Sequence, residues 1–341
     1  MKKYNVFLIF SVLFVLLAFS LSANAVTLTF SHVVMPETSL NRAALKFESI
    51  VEKETDGEIQ VEVYPAAALG GNREVLEGLQ MGTIAITSPS MAPLAQFTEA
   101  TALFDLPYLF NSEEVAQKVL QGEIGQSILK DLESSGFKGL VYLTQGYRHV
   151  TNSVRAIKGP DDFKNLKIRT MQNPVHMAHF KAMGASPIPM AFSEVFTALQ
   201  QKTIDGQENP YENNKLMAFT EVQKYISETG HLYDPIPLLI SMPVWESLSS
   251  EHQAILQKAA IEARDYQLNI LHVLENNIKS DLEKAGKNVI VLAKDIDKKA
   301  CLKASLPVYE EYGEKAGWNR IIEVLNMQGE YGQEMIKLLG K

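Results

Sequence analysis

Residues 28–63 read LTFSHVVMPETSLNRAALKFESIVEKETDGEIQVEV, and this stretch decides the fold. Leu28–His32 is a short apolar strand. Pro36-Glu37-Thr38-Ser39 turns the chain and caps a helix. That helix sets Leu40, Ala43, Ala44, Phe47, Ile50 and Val51 at helical spacing along one face. Asp56-Gly57 stops it, and Ile59-Gln-Val-Glu-Val63 alternates as a half-buried strand does. Downstream, Gly70-Gly71-Asn72 turns into a helix with Val75, Leu76 and Leu79, and Thr83–Ser88 reads as a third strand. This β-α-β-α-β order predicts a parallel, doubly wound sheet covered on both faces.

A second α/β unit follows. Gly139–Thr144, His149–Ser153, Leu166–Thr170, Ala185–Met190 and Thr203–Asn209 read as strands, with helices at Asn173-Pro174 and Ser193–Gln200. A long helical pattern then starts near Ser250 and runs towards Lys284, with Ile255, Leu256, Ala259, Ala263, Leu271 and Leu274 on its apolar positions. Without repeats or low-complexity linkers, several crossings between two units point to strand hinges. The expected architecture is α/β, two lobes around a cleft, with ligands at the carboxyl ends of strands. Residues 26–150 are expected to form mainly lobe 1 and 151–240 mainly lobe 2. Residues 241–341 form a helical region that spans and completes both.

The N-terminus reads as an export signal. Lys2 and Lys3 precede the apolar run Val6–Leu21, and Ala23-Asn24-Ala25 offers a small-x-small cleavage site. Residues 1–25 are therefore expected to be removed, leaving a periplasmic chain that starts at Val26. The apolar core is shorter than the roughly 20 residues of a spanning helix. Without this leader the sequence carries 30 basic and 40 acidic residues, a balance that argues against nucleic acid or anionic membranes as partners. A single cysteine, Cys301, excludes an internal disulfide and reads as a buried thiol.

Enzyme signatures do not assemble. His176 and His179 stand i, i+3, but no motif supplies a third metal ligand. There is no Gly-x-Ser-x-Gly elbow, no cysteine–histidine signature, and neither nucleotide fingerprint around Gly70-Gly71. No enzyme activity, cofactor or metal is expected. The informative side chains lie at strand ends. Arg169 closes Leu166-Lys-Ile-Arg-Thr170, Arg148 comes from Gln145-Gly-Tyr-Arg-His149, and Asn209 ends Ile204-Asp-Gly-Gln-Glu-Asn209. A guanidinium presents a planar fork of donors matched to a carboxylate. Spacing alone favours a surface ion pair for each arginine and a core position for Phe192; the coincidence of two arginines and an asparagine at strand ends is what raises the binding reading.

At these residues the chain resembles the periplasmic solute-binding proteins of tripartite ATP-independent (TRAP) transporters, the DctP family. The resemblance runs over the whole mature chain. It is most specific in Leu166-Lys-Ile-Arg169, in Met183-Gly-Ala-Ser-Pro-Ile-Pro-Met-Ala-Phe192 and its continuation to Leu199, and in Asp205-Gly-Gln-Glu-Asn-Pro210. Tyr64-Pro65, Leu69-Gly70, Leu106-Pro107-Tyr108 and Glu221-Val-Gln-Lys224 add landmarks. The resemblance implies a two-lobe, type II-like binding protein that closes around a carboxylate. It makes Arg169 the clamp, Arg148 a second arginine, Asn209 its asparagine partner and Phe192 a cleft aromatic. Asn72, Ser90 and Gln172 fall where members vary their ligand contacts. Tyr211 and Glu212 are expected on the same wall, and His32 near the first-strand contact.

Sialic-acid-binding members carry a glutamate within the segment matching Ser88-Pro-Ser-Met91, which this chain lacks. Gln172-Asn173, Ser90 and Tyr211 suit hydroxyl groups, so the resemblance favours a hydroxy acid or sugar acid. A C4-dicarboxylate, keto acid or aromatic acid is the alternative ligand. The implied partners are TRAP membrane permease subunits serving a monomer; the alternative is an ABC-type binding protein, and more distantly a periplasmic enzyme acting on a carboxylate.

Overall fold

The computed structural model describes residues 25–341; the rest of the expected leader lies outside them. Strand β1 (Val26–Ser31) leads into helix α1 (Ser39–Glu54), which buries the six apolar positions named above together with Ser39 and Asn41. The Thr38 hydroxyl accepts from the Asn41 amide and caps α1. Strand β2 (Ile59–Tyr64), helix α2 (Asn72–Met81) and strand β3 (Ile86–Thr87) complete the first unit, and β1 pairs parallel with both β2 and β3. Helices α3 (Glu113–Gln121) and α4 (Glu123–Asp131) cover this half.

The two stretches expected as separate strands are one strand, β4 (Phe137–Asn152). The second half adds β5 (Lys167–Thr170), α5 (Pro174–Ala182), β6 (Ser186–Pro189), α6 (Val195–Gln200), β7 (Gly206–Asn209) and α7 (Tyr211–Leu216). Strand β8 (Tyr225–Ser241), absent from the sequence reading, pairs antiparallel with β4 along its length. Helix α8 (Ser250–Ala285), strand β9 (Val289–Val291) and helices α9 (Lys298–Ala316), α10 (Trp318–Asn326) and α11 (Gly329–Leu338) close the chain. Cys301 is buried in α9.

Strand order is β2-β1-β3-β8-β4-β7-β5-β6, with β9 on the other end of β8. The sheet is therefore mixed: parallel at β2-β1-β3 and β5–β6, antiparallel through β3-β8-β4-β7. Strands β4 and β8 belong to both halves and form the hinge. Their register breaks three times, between Gly139 and Val141 and, nearer the middle, between Thr144 and Tyr147 and between Arg148 and Val150. Gly146 (φ 74°) and Gly230 (φ 51°) sit in the last two breaks, in the left-handed region that glycine tolerates. Helix α8 lies across the hinge. Its buried residues Leu256, Ala259, Ala260, Ala263, Gln267 and Leu271 fall in its first two-thirds, and only Leu282 is buried beyond them.

Candidate functional site

Arg169 comes from β5, whose strand neighbours fix its backbone. The side chain is 2 % exposed. Its Nε and Nη2 donate to the Met190 carbonyl at 3.0 and 2.7 Å. Nη1 is buried and has no partner among the described residues. Burial, then the Arg148 charge against the pull of Glu208, lowers its pKa to about 10, which leaves it cationic at neutral pH. A buried cation with an unmet donor is a place for an acceptor to bind.

Arg148, on β4, is placed differently. Its Nε and Nη2 hold the Glu208 carboxylate at 2.5 and 2.9 Å, and Nη1 reaches Asp234 Oδ2 at 2.5 Å. Nη2 also donates to the Glu208 carbonyl and to Asn209 Oδ1. Burial works against the charged form of Glu208, but Arg148 and the His231 hydrogen bond outweigh it and hold that carboxyl well below the usual range. Two carboxylates thus face one guanidinium. Arg148 organises the floor of the cleft, and Arg169 there makes no ion pair among the described residues.

Two adjoining spaces, about 180 and 30 Å³, form the cleft. Arg169, Asn72 and Phe192 border both, Gln172 borders the larger, and Arg148, Asn209 and Ser90 border the smaller. The structure thus brings together seven of the ten expected residues. Ser90 Oγ lies 3.3 Å from Asp234 Oδ2. Asn209 is largely committed within the protein: its Nδ2 donates to Gln207, and its Oδ1 accepts from Arg148 and Asn213.

Three expectations are corrected. His32 turns into the first lobe, bonds Asn41 Oδ1 at 3.1 Å and packs edge-on to Phe30; Val33 and Val34 face the cleft instead. Tyr211 points to a different cavity behind the hinge and donates to Glu228. Glu212 accepts from the Ser39 amide and hydroxyl at 2.7 and 2.9 Å, at the amino end of α1. Gln145 and Asn213 also line the cleft and were missed. Gln145 Oε1 accepts from Asn213, while its Nε2 is a second buried donor without a partner among the described residues. Gln145 belongs to the quoted Gln145–His149 segment, but only the β4 bulge turns it inward.

Residues 30–316 match the family described as bacterial extracellular solute-binding protein, family 7 (DctP). The chain belongs to this family. It is 37% identical over 286 residues to the 2,3-diketo-L-gulonate-binding periplasmic protein YiaO of Escherichia coli, covering 84% of this chain and 86% of that one. A TRAP periplasmic solute-binding protein from a Polaromonas species, solved with D-erythronate, superposes with a TM-score of 0.85 at 37% identity, covering 88% of this chain and 98% of the other. A sugar acid binding protein of Advenella mimigardefordensis, solved with galactonate, gives 0.85 at 31%, with 91% and 99% covered. Family members of this kind bind solutes for TRAP transport and are not enzymes, and the two-lobe fold is theirs.

Proposed function

We propose that this DctP-family protein captures a small hydroxylated monocarboxylate, a hydroxy acid or sugar acid, in the periplasm. It then delivers the acid, as a monomer, to the membrane permease subunits of a TRAP transporter. The observation that carries this reading is the pair of buried, partnerless donors in one cleft, Arg169 Nη1 and Gln145 Nε2. A carboxylate oxygen satisfies the first, and a neighbouring hydroxyl or carboxylate oxygen the second.

Charge supports one carboxylate rather than two. Arg148 is matched by Glu208 and Asp234. Arg73, the other arginine bordering the cleft, is exposed and paired with Glu77. A second buried carboxylate would find no free cation among the described residues that border the cleft. Ser90, Asn72 and Gln172 supply polar contacts for hydroxyl groups. The cleft is smaller than the roughly 300–1,000 Å³ of drug-sized sites, in keeping with a short-chain acid. The relatives named for diketogulonate, erythronate and galactonate are monocarboxylate binders of this chemical type.

Mass spectrometry of acid co-purifying with the protein, followed by calorimetric titration of erythronate, galactonate and succinate, tests the proposal. The hydroxylated monocarboxylates are expected to bind at least tenfold tighter than succinate, about 1.4 kcal/mol. Tighter binding of succinate would overturn it in favour of a C4-dicarboxylate ligand.

A further inference from the structure

Behind the cleft, on the opposite face of the hinge strands, lies a larger cavity of about 580 Å³. Alternation along β4 sends Arg148 to the cleft and its neighbours Tyr147 and His149 to the other face, where both line this cavity. Helix α8 roofs it with Glu275 and Lys279, and α9 and α11 add Lys298, Lys299 and Glu334. The segment before α3 contributes Phe110, and Glu113 stands at the start of α3. The Phe110, Tyr147 and Tyr211 rings give the cavity aromatic walls.

The charges do not cancel. Lys279 pairs with Glu228 and Lys299 with Glu334. Glu113 accepts from the Tyr233 hydroxyl at 3.3 Å and lies 3.5 Å from the exposed His272. Glu275 makes no ion pair and no side-chain hydrogen bond among the described residues. Its Oε1 lies over the hinge bulge, 3.3 Å from where a Cβ on Gly146 would stand. Lys298 Nζ lies 3.7 Å, and the Tyr147 ring 3.8 Å, from where a Cβ on Gly230 would stand, whereas Lys298 makes no ion pair with Glu275 among the described residues. The Gly146 end therefore combines a partnerless carboxylate, a second carboxylate within electrostatic reach and aromatic rings.

We propose that this cavity is a second small-molecule site, separate from the carboxylate cleft, for an organic ammonium ion with an apolar body. The ammonium group sits against Glu275 and Glu113, and the body lies along Tyr147 and Phe110, where ring faces attract a cation. Burial, then the charges of Glu212 and Glu113, pushes the Glu275 carboxyl up to about 8, as expected of an acid that lacks a counter-charge. The site stands whether or not the cleft binds a monocarboxylate.

The test titrates benzylammonium into the whole mature protein at pH 8.5, with isosteric benzyl alcohol and benzoate as neutral and anionic controls. The titrations use calorimetry on wild type, Glu275→Gln and Arg169→Ala. Benzylammonium is expected to saturate wild type and Arg169→Ala with Kd values within about twofold, and to bind Glu275→Gln at least about fivefold more weakly. Benzyl alcohol is expected to fall at least about fivefold behind benzylammonium on wild type. Glu113→Gln reads the same effect from another element should Glu275→Gln fail to fold. No saturable binding at millimolar benzylammonium, equal binding of the alcohol, indifference to both glutamate variants, or loss in Arg169→Ala would each overturn the assignment.

Discussion

The two arginines of the cleft look alike in sequence and make opposite forecasts in the structure. Arg169 spends two nitrogens on one carbonyl and leaves Nη1 without a partner among the described residues. Arg169→Ala is expected to weaken binding of the acid by about 2–5 kcal/mol, roughly 30-fold to several-thousand-fold in Kd, because the ligand carboxylate is left desolvated and unpaired. Arg169→Lys is expected to bind nearly as poorly, since a point charge lacks the planar fork. The melting temperature without ligand is expected to stay put or rise, as a buried unsatisfied cation is removed. Calorimetry beside melting curves checks this, and binding within about threefold of wild type would end the clamp assignment. Arg148 differs, because both of its carboxylate partners are buried with it in one ion network. Arg148→Ala strands Glu208 and Asp234, both fully buried, at a cost of about 3–5 kcal/mol in urea unfolding near neutral pH. In wild type the depressed Glu208 pKa contributes stability above the unfolded carboxylate value, lost as pH falls through the folded one. Without Arg148 the folded pKa rises and the sign reverses, so the deficit is expected to be largest at pH 7–8 and to shrink towards pH 5. A deficit independent of pH would contradict the network.

At the level of elements, the parallel strands were legible because their alternation and caps are local. The hinge was not. Strand β8 carries Gly230, Pro235 and Pro237 and buries Ser227, Thr229, His231 and Asp234, so its first half shows no strand pattern and prolines interrupt the apolar run Ile236–Ile240 of its second. Its polar groups are satisfied by long-range partners such as Arg148, which sequence spacing does not reveal. The three misplaced site residues have a related cause. His32, Tyr211 and Glu212 stand just past strand ends, where one residue's step turns a side chain away from the cleft that Val33 and Asn209 face. The β4 bulge is held by Gln267 of α8. Its amide donates to the Thr144 carbonyl at 2.5 Å and accepts from the Thr144 N–H at 3.2 Å, and it also reaches Ser39 Oγ. Gln267→Leu keeps the bulk and orphans two buried backbone groups, so stability is expected to fall by about 2–4 kcal/mol. Affinity is expected to fall as well, although Gln267 does not border the cleft, because Gln145 follows Thr144 directly in the bulge. Calorimetry at a temperature where both proteins are folded separates the effects; unchanged affinity would mean the bulge is held without Gln267.

Over the whole molecule, the cleft and the surface oppose each other electrically. The sequence after the expected cleavage carries ten more acidic than basic residues, and this field repels the carboxylate proposed to pair with Arg169. Arg169 is buried and its cation acts only at short range, whereas the surface charges act through solvent. Raising ionic strength from about 10 mM to about 300 mM shortens the Debye length from about 30 Å to below 10 Å. It therefore screens the repulsion far more than the buried contact. The association rate of a monocarboxylate is expected to rise about two- to fivefold across that range, while the dissociation rate, set by the desolvated pair, stays nearly constant. Affinity then improves with salt, the reverse of an electrostatically steered site. Stopped-flow measurements at several salt concentrations give both rates. An association rate that falls with salt would show that the field at the cleft mouth is positive despite the acidic surface. Arg73 at the rim would then be the first cation to test, since its pairing with Glu77 is exposed to solvent and contributes little charge neutralisation once ligand approaches.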